Sequence, residues 1–223
     1  VWAYEAGLKA DLLDNTLRAN LAVFLNDITD LQQTTTRPDG TFPQENVGDA
    51  TVWGWELELN ATPADGLDLF AAIGFMDDQF DRLDPTSDAR RAGSQNLPLV
   101  SDWTARIGGS YAWDVGERLT GKLGASLAYT GAFDATVTNV LEISDYTRFD
   151  GFASIGTRDG KWELVAAGQN LTDEVTYVSG IVAAPFPPAL TVLKPRTWTL
   201  TLRYRLEPIV NRSLPNARDD SWP

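Results

Sequence analysis

The sequence predicts an all-β chain: an antiparallel, up-and-down transmembrane β-barrel wall. Three observations point there. Hydrophobicity alternates with period two in segment after segment, which puts one greasy and one polar face on each strand. The connections alternate between short polar turns and long irregular segments, an asymmetry of outer-membrane barrels. Trp and Tyr collect towards strand ends, with aliphatic residues between them, as expected where amphipathic rings sit at headgroup level.

The elements follow in order. YEAGLKADL sets Ala6, Leu8, Ala10 and Leu12 against Glu5, Lys9 and Asp11. LRANLAVFLND sets Leu17, Leu21, Val23 and Leu25 against Arg18, Asn20 and Asn26. WGWELELNA opposes Trp53, Trp55, Leu57 and Leu59 to Glu56, Glu58 and Asn60. LDLFAAIGF continues with Leu67, Leu69, Ala71, Ile73 and Phe75. WTARIGGSYAW carries Trp103, Ala105, Ile107, Tyr111 and Trp113 on one face and Arg106 on the other. LTGKLGASLAY places Leu123, Leu127 and Tyr129 opposite Lys122. FDGFASIGT, Phe149 to Thr157, leaves its faces open, and WELVAAGQN sets Trp162, Leu164 and Ala166 against Glu163 and Gln169. TWTLTLRYRL makes the ninth strand, with Trp198, Leu200, Leu202 and Tyr204 opposite Arg203.

Short turns rich in Asp, Gly and Pro follow the odd strands, at Asp14, Thr62, Asp114 and Arg158. Long segments follow the even ones, at roughly 27–49, 77–98, 131–146 and 171–195, and are expected to be irregular and to form a functional rim. Trp53, Trp55, Trp103, Trp113, Trp162, Trp198 and Tyr204 are the expected lipid-interface aromatics. An arginine facing lipid at the midplane costs about 2–4 kcal/mol. Glu56, Glu58, Arg106, Lys122 and Arg203 are therefore expected on the lumen side.

Composition limits the chemistry. The 223 residues carry a net charge of −13, which argues against nucleic-acid binding. There is no cysteine and no histidine, so disulfides, the usual general base and most zinc or iron ligand sets are missing, and no metal site or cofactor is expected. No apolar run reaches the roughly 18 residues of a transmembrane helix, which says nothing against strands. The opening residues lack a signal-peptide pattern, so either the chain is cytoplasmic or the sequence begins inside a longer precursor. A soluble β-sandwich binding module, for instance for carbohydrate, is the alternative fold. An outer-membrane hydrolase barrel is a further reading, weakened by the absent histidine.

Several stretches resemble TonB-dependent outer-membrane receptors, the barrels that import iron–siderophore complexes and similar nutrients. They are YEAGLKADLLDNTLRANLAVFLNDITDLQ, VGDATVWGWELELNATPADGLDLFAAIGF, WELVAAGQNLTDEVTY with its Asn-Leu-Thr-Asp-Glu, and PRTWTLTLRYRL. The resemblance implies a 22-stranded barrel with an internal plug, of which residues 1–206 supply about nine C-terminal strands, the plug lying outside this chain. The family usually stops at an aromatic residue. Here the polar segment 207–223 follows Leu206 and reads as a disordered tail. The implied function is TonB-dependent active transport in the bacterial outer membrane, most readily of a ferric siderophore, with no enzymatic step. The implied partners are outer-membrane lipid and the TonB-ExbB-ExbD complex acting through the plug, which would also meet the five lumen-facing residues. Ligand contacts are expected in the long segments, from Arg37, Gln44, Arg90, Arg91, Phe133, Tyr146, Tyr177 and Phe186. Arginine suits carboxylate-like groups through its fork, and aromatic rings suit siderophore rings.

Overall fold

A computed structural model describes residues 1–34, 40–182 and 187–206. Its elements are β1 (Trp2–Leu12), β2 (Leu17–Thr34), β3 (Gln44–Ala64), β4 (Leu67–Leu83), α1 (Asp88–Ala92), β5 (Trp103–Val115), β6 (Leu119–Thr130), β7 (Phe133–Asp134), β8 (Glu142–Ile143), β9 (Tyr146–Thr157), β10 (Trp162–Gln169), β11 (Tyr177–Ile181), β12 (Ala189–Val192) and β13 (Thr197–Tyr204). Nine of the strands form one antiparallel meander in the order β1-β2-β3-β4-β5-β6-β9-β10-β13. Its edges are β1 and β13, so among the described residues the sheet stays open. Among the described residues no second sheet covers the apolar face: Trp198, Leu200 and Leu202 are 69%, 71% and 65% exposed, which argues against the sandwich alternative.

The register separates the faces as the alternation requires. Directly opposed residues share a face. One row runs Glu58, Ala72, Arg106, Ala128, Arg148 across five strands. Lys122 lies on that face opposite Ser154, and Arg203 opposite Glu163, at 2.9 Å from its carboxylate. Another row runs Val23, Trp55, Phe75, Trp103 on the reverse side. There Trp53, Trp55, Phe75 and Trp103 pack as one cluster, with centroids 4.8–6.5 Å apart. At the opposite ends of the strands, Tyr111 stacks on Trp113 and Trp162 packs on Tyr204. From Trp103 to Trp113 the strand measures about 34 Å at ~3.4 Å per residue. A tilt of about 45° reduces that to about 24 Å of height, matching the ~25 Å apolar band of outer-membrane barrels. Phe149–Thr157, ambiguous in sequence, resolves: Ile155 lies on the apolar face with Leu164, while Phe152 lies on the polar face.

Phenylalanines on the polar face lie on glycines of the next strand. A Cβ on Gly54 would stand 2.7 Å from the Phe24 ring, one on Gly108 2.6 Å from Phe70, and one on Gly124 2.4 Å from Phe152. Each is a directly paired couple, so the missing side chain of one residue is the seat of the other. The Arg106 guanidinium then lies 5.2 Å from the Phe70 ring centroid, stacked on a ring already fixed in place.

The long segments are less irregular than their composition predicts. The β2–β3 hairpin continues to the Thr34–Gln44 pair, and β4 continues to Leu83, well past the upper aromatic cluster. Beyond the cluster neither face meets lipid, so hydrophobic alternation lapses while backbone pairing persists. Irregularities at Ile28–Leu31 and Asp49–Ala50, with Asp30 at φ 55°, bend the extension. The segments after β6 and β10 hold two small ribbons, β7–β8 and β11–β12. The buried apolar side chains lie here and not in the wall: Val47, Ala89 and Val137 pack with Phe80 and Leu83. A wall with lipid on one side and lumen on the other has no interior of its own, so the loop cap is where this chain builds a core.

Candidate functional site

The cap positions the site. Ser87 caps α1 through its hydroxyl, which accepts the Arg90 N–H at 3.1 Å, and Gly93 ends the helix at φ 74°. This short helix, the segment 98–99, the turn 135–140 and the end of β11 enclose a cleft of about 580 Å³ beyond the upper aromatic cluster. Its apolar wall includes Phe42, Pro98, Leu99, Val137, Val140 and Ile181, with hydroxyls from Thr34, Thr136 and Thr138 between them. Asp88 and Arg91 are the charged residues lining it, and they pair with one another. Arg91 also donates to the Thr86 carbonyl at 2.6 Å.

Nearby, on the polar side of the sheet, a second recess is lined by Asp78, Asp102, Phe133, Asp134 and Glu142. Burial is the main cause that pushes the Asp78 carboxyl above the usual range; the Leu97 N–H opposes it, and Asp102, Asp77 and Asp134 add to it. Asp134 is raised in the same way, by burial first and by Glu142 after it, against the Asn96 amide. On the neighbouring hairpin Asp49 is lowered, chiefly by the Asp30 N–H and then by Arg82, and Asp84 is lowered by the Thr86 hydroxyl and N–H. All four lie above the upper aromatic cluster, outside the membrane band.

The two sets have opposite pH dependence. Asp78 and Asp134 bind protons more tightly folded than unfolded, so their protonation favours the folded cap as pH falls towards the carboxylate range. The Asp49 and Asp84 contacts contribute above the ordinary carboxylate pKa and are lost only as pH falls below it. Acidification from neutral towards the reference carboxylate pKa of ~4 should therefore tighten the loop 94–102 against β4. Asp78→Asn should reproduce part of that tightening at neutral pH and shrink the pH response to the share of Asp134. Protease cleavage of the 94–102 loop, compared at neutral and acidic pH, checks both; loosening on such acidification would contradict the assignment.

The sequence-predicted ligand residues do not converge. Arg91 lines the cleft and Phe133 the acidic recess. Gln44 opens β3 opposite Thr34, Arg90 is exposed on α1, Tyr146 begins β9 on the polar face, and Tyr177 sits on β11 opposite Val192. Arg37 and Phe186 lie outside the described residues, as does the segment 207–223. The cleft's apolar members were not anticipated. Their signal was faint: short apolar runs without period-two alternation, around Leu99, Val140 and Ile181, and a lone Phe42.

The Asn-Leu-Thr-Asp-Glu stretch is a joint and not a contact surface. Asn170 is 1% exposed with φ 50°. Its amide donates to the carbonyls of Glu174 and Lys194 at 2.9 and 3.1 Å, and its oxygen accepts the Glu174 N–H at 2.9 Å. Leu171 fills the space over Gly168 and Gly151, and the Asp173 carboxylate accepts the Arg196 N–H at 3.0 Å. The motif thus ties the end of β10 to the start of β13.

A single-layer antiparallel meander with an aromatic-rimmed apolar face, a polar reverse face and a cleft built by its loops fits the wall of an outer-membrane barrel. The family profile for the TonB-dependent receptor-like β-barrel matches residues 1–171. The chain belongs to that family and to the bacterial outer membrane. It is 28% identical over 156 residues to the "Probable TonB-dependent siderophore receptor PiuA" of Acinetobacter baumannii, covering 67% of this chain and 20% of that protein. Among solved structures, the ferric yersiniabactin uptake receptor FyuA of Yersinia pestis superposes with TM-score 0.73 at 18% identity, over 91% of this chain and 29% of that one. BauA, the ferric preacinetobactin receptor of Acinetobacter baumannii, gives TM-score 0.69 at 18% identity, over 90% and 28%. The chain thus spans under a third of the relatives it matches.

Proposed function

We propose that this chain forms part of the wall and extracellular mouth of a transporter that takes up a ferric siderophore, energised by TonB-ExbB-ExbD. The observation that carries the reading is the apolar cleft held outside the membrane band by loops of a barrel wall. An exposed apolar surface of that kind marks a binding site on a water-facing cap. The siderophore receptors among the relatives support the choice of cargo. Residues 1–206 act as barrel and cap, and 207–223 as a tail. The polar face carrying Glu56, Glu58, Arg106, Lys122 and Arg203 looks into the lumen, where a plug is the natural counterpart of its charges. Arg37, Gln44, Arg90, Arg91, Phe133, Tyr146, Tyr177 and Phe186 are the ligand-side candidates, with Arg91 the one that lines the cleft. Import requires binding and release, and no covalent step is assigned to any residue.

The test is radioiron uptake by iron-starved cells lacking the receptor gene and complemented with the full receptor. Uptake of a ferric siderophore should return with complementation and disappear when the proton-motive force is dissipated or TonB is deleted. Uptake that persists without TonB, or that never depends on the receptor, would sink the proposal.

A further inference from the structure

Resting on the cleft as the ligand site, we propose that Leu99 is a specificity-determining ligand contact, and that the part of the ferric chelate it meets is uncharged and apolar. The residue is anomalous twice over. Its backbone is left-handed, φ 64°, a conformation in which Cβ crowds the following carbonyl and which suits Gly or Asn far better than leucine. Its side chain is 64% exposed, so burial within the described protein does not offset that strain. The conformation is pinned from below, where the Leu99 N–H donates to the Asp134 carbonyl at 2.7 Å. Leu13, in the β1–β2 turn, is also left-handed and exposed, so what singles out Leu99 is its place: the pinned backbone puts its apolar side chain in the wall of the cleft.

The surroundings specify what that something is. Phe42, Val140 and Ile181 line the same cleft and are 59%, 61% and 55% exposed. The Arg91 guanidinium is engaged by Asp88 and by the Thr86 carbonyl, so it offers little to an anion. The remaining polar groups of the wall are hydroxyls and the Gln33 amide, which hydrogen-bond neutral donors and acceptors. A chelate presenting an aliphatic or aromatic flank around a charge-neutral iron centre matches this wall. A strongly anionic chelate meets an apolar cleft beside an acidic recess.

The experiment uses the full receptor in detergent or vesicles, with a ferric trihydroxamate whose iron centre is neutral and a trianionic ferric tricatecholate as probes. Binding is read by intrinsic fluorescence, and stability by the thermal midpoint. The neutral chelate should bind more tightly than the trianionic one. Leu99→Asn, which suits the left-handed backbone, should weaken the neutral chelate about tenfold while the midpoint holds or rises. Leu99→Met, which keeps an apolar side chain, should stay within about threefold of wild type. Unchanged binding in Leu99→Asn overturns the proposal. A midpoint that falls in parallel with affinity also overturns it, because Leu99 then packs against the protein itself. Tighter binding of the trianionic chelate overturns the ligand class. If neither chelate binds, the assigned ligand class is wrong and the proposal falls, while the reading as a ferric-siderophore transporter is judged separately by the uptake experiment.

Discussion

Asn170→Ala should destabilise the folded receptor by about 2–4 kcal/mol, the sum expected for two carbonyls and one N–H losing partly buried partners at about 1 kcal/mol or more each. The backbone adds to this, since alanine is disfavoured at φ 50° where asparagine is tolerated. Two further substitutions separate the causes. Asn170→Gly restores backbone freedom and loses only the side-chain hydrogen bonds, so it should be less harmful than Ala. Asn170→Asp keeps the oxygen that accepts the Glu174 N–H but turns an acceptor towards the carbonyls of Glu174 and Lys194, and should do no better than Ala. Denaturant midpoints of the receptor in bilayers, together with protease cleavage between β10 and β13, read the effect. Wild-type stability in Asn170→Ala would mean that the joint is incidental and that the motif serves another purpose.

The joint also shows what a sequence hides. The stretch was recognisable as a family signature, but nothing in five letters says that an amide will bridge the Glu174 and Lys194 carbonyls or that Leu171 will fill the gap over Gly151 and Gly168. Strand identity and facing were legible because lipid and lumen impose period two, so Trp55 and Glu56 had to diverge. Strand length was not: above the aromatic cluster the environment is water on both faces, and hydrogen-bonded pairs such as Thr34–Gln44 leave no hydropathic trace. The ligand candidates were chosen for charge and rings, yet the cations of the cap are largely spent on neighbours. Arg82 pairs with Asp49, and Arg91 with Asp88. What lines the cleft is apolar, and short apolar runs without strand alternation, such as Leu97–Val100 and Val140–Leu141, give no sign of where they meet until the fold gathers them.

Facing itself can be tested with a single side chain. Arg106 already sits inside the span of β5 between Trp103 and Trp113, on the polar face, stacked on Phe70. Its neighbour Ile107 is 61% exposed on the other face, midway between Trp103 and Trp113. Ile107→Arg moves the same guanidinium by one residue and places it in hydrocarbon, where the cost is about 2–4 kcal/mol. Snorkelling offers little relief, because Ile107 stands about 12 Å or more of strand from either aromatic ring, at ~3.4 Å per residue. Ser110→Arg is the control: it returns to the polar face opposite Asp68, which supplies a counter-charge, and should cost far less. Folding yields and denaturant midpoints in bilayers of the full receptor measure both. The ordering matters more than either value, since a soluble protein with both faces in water would tolerate the two substitutions alike. Equal tolerance would show that hydrocarbon does not cover the Trp103–Ile107–Trp113 side, and the division of this wall into lipid and lumen faces would fall with it.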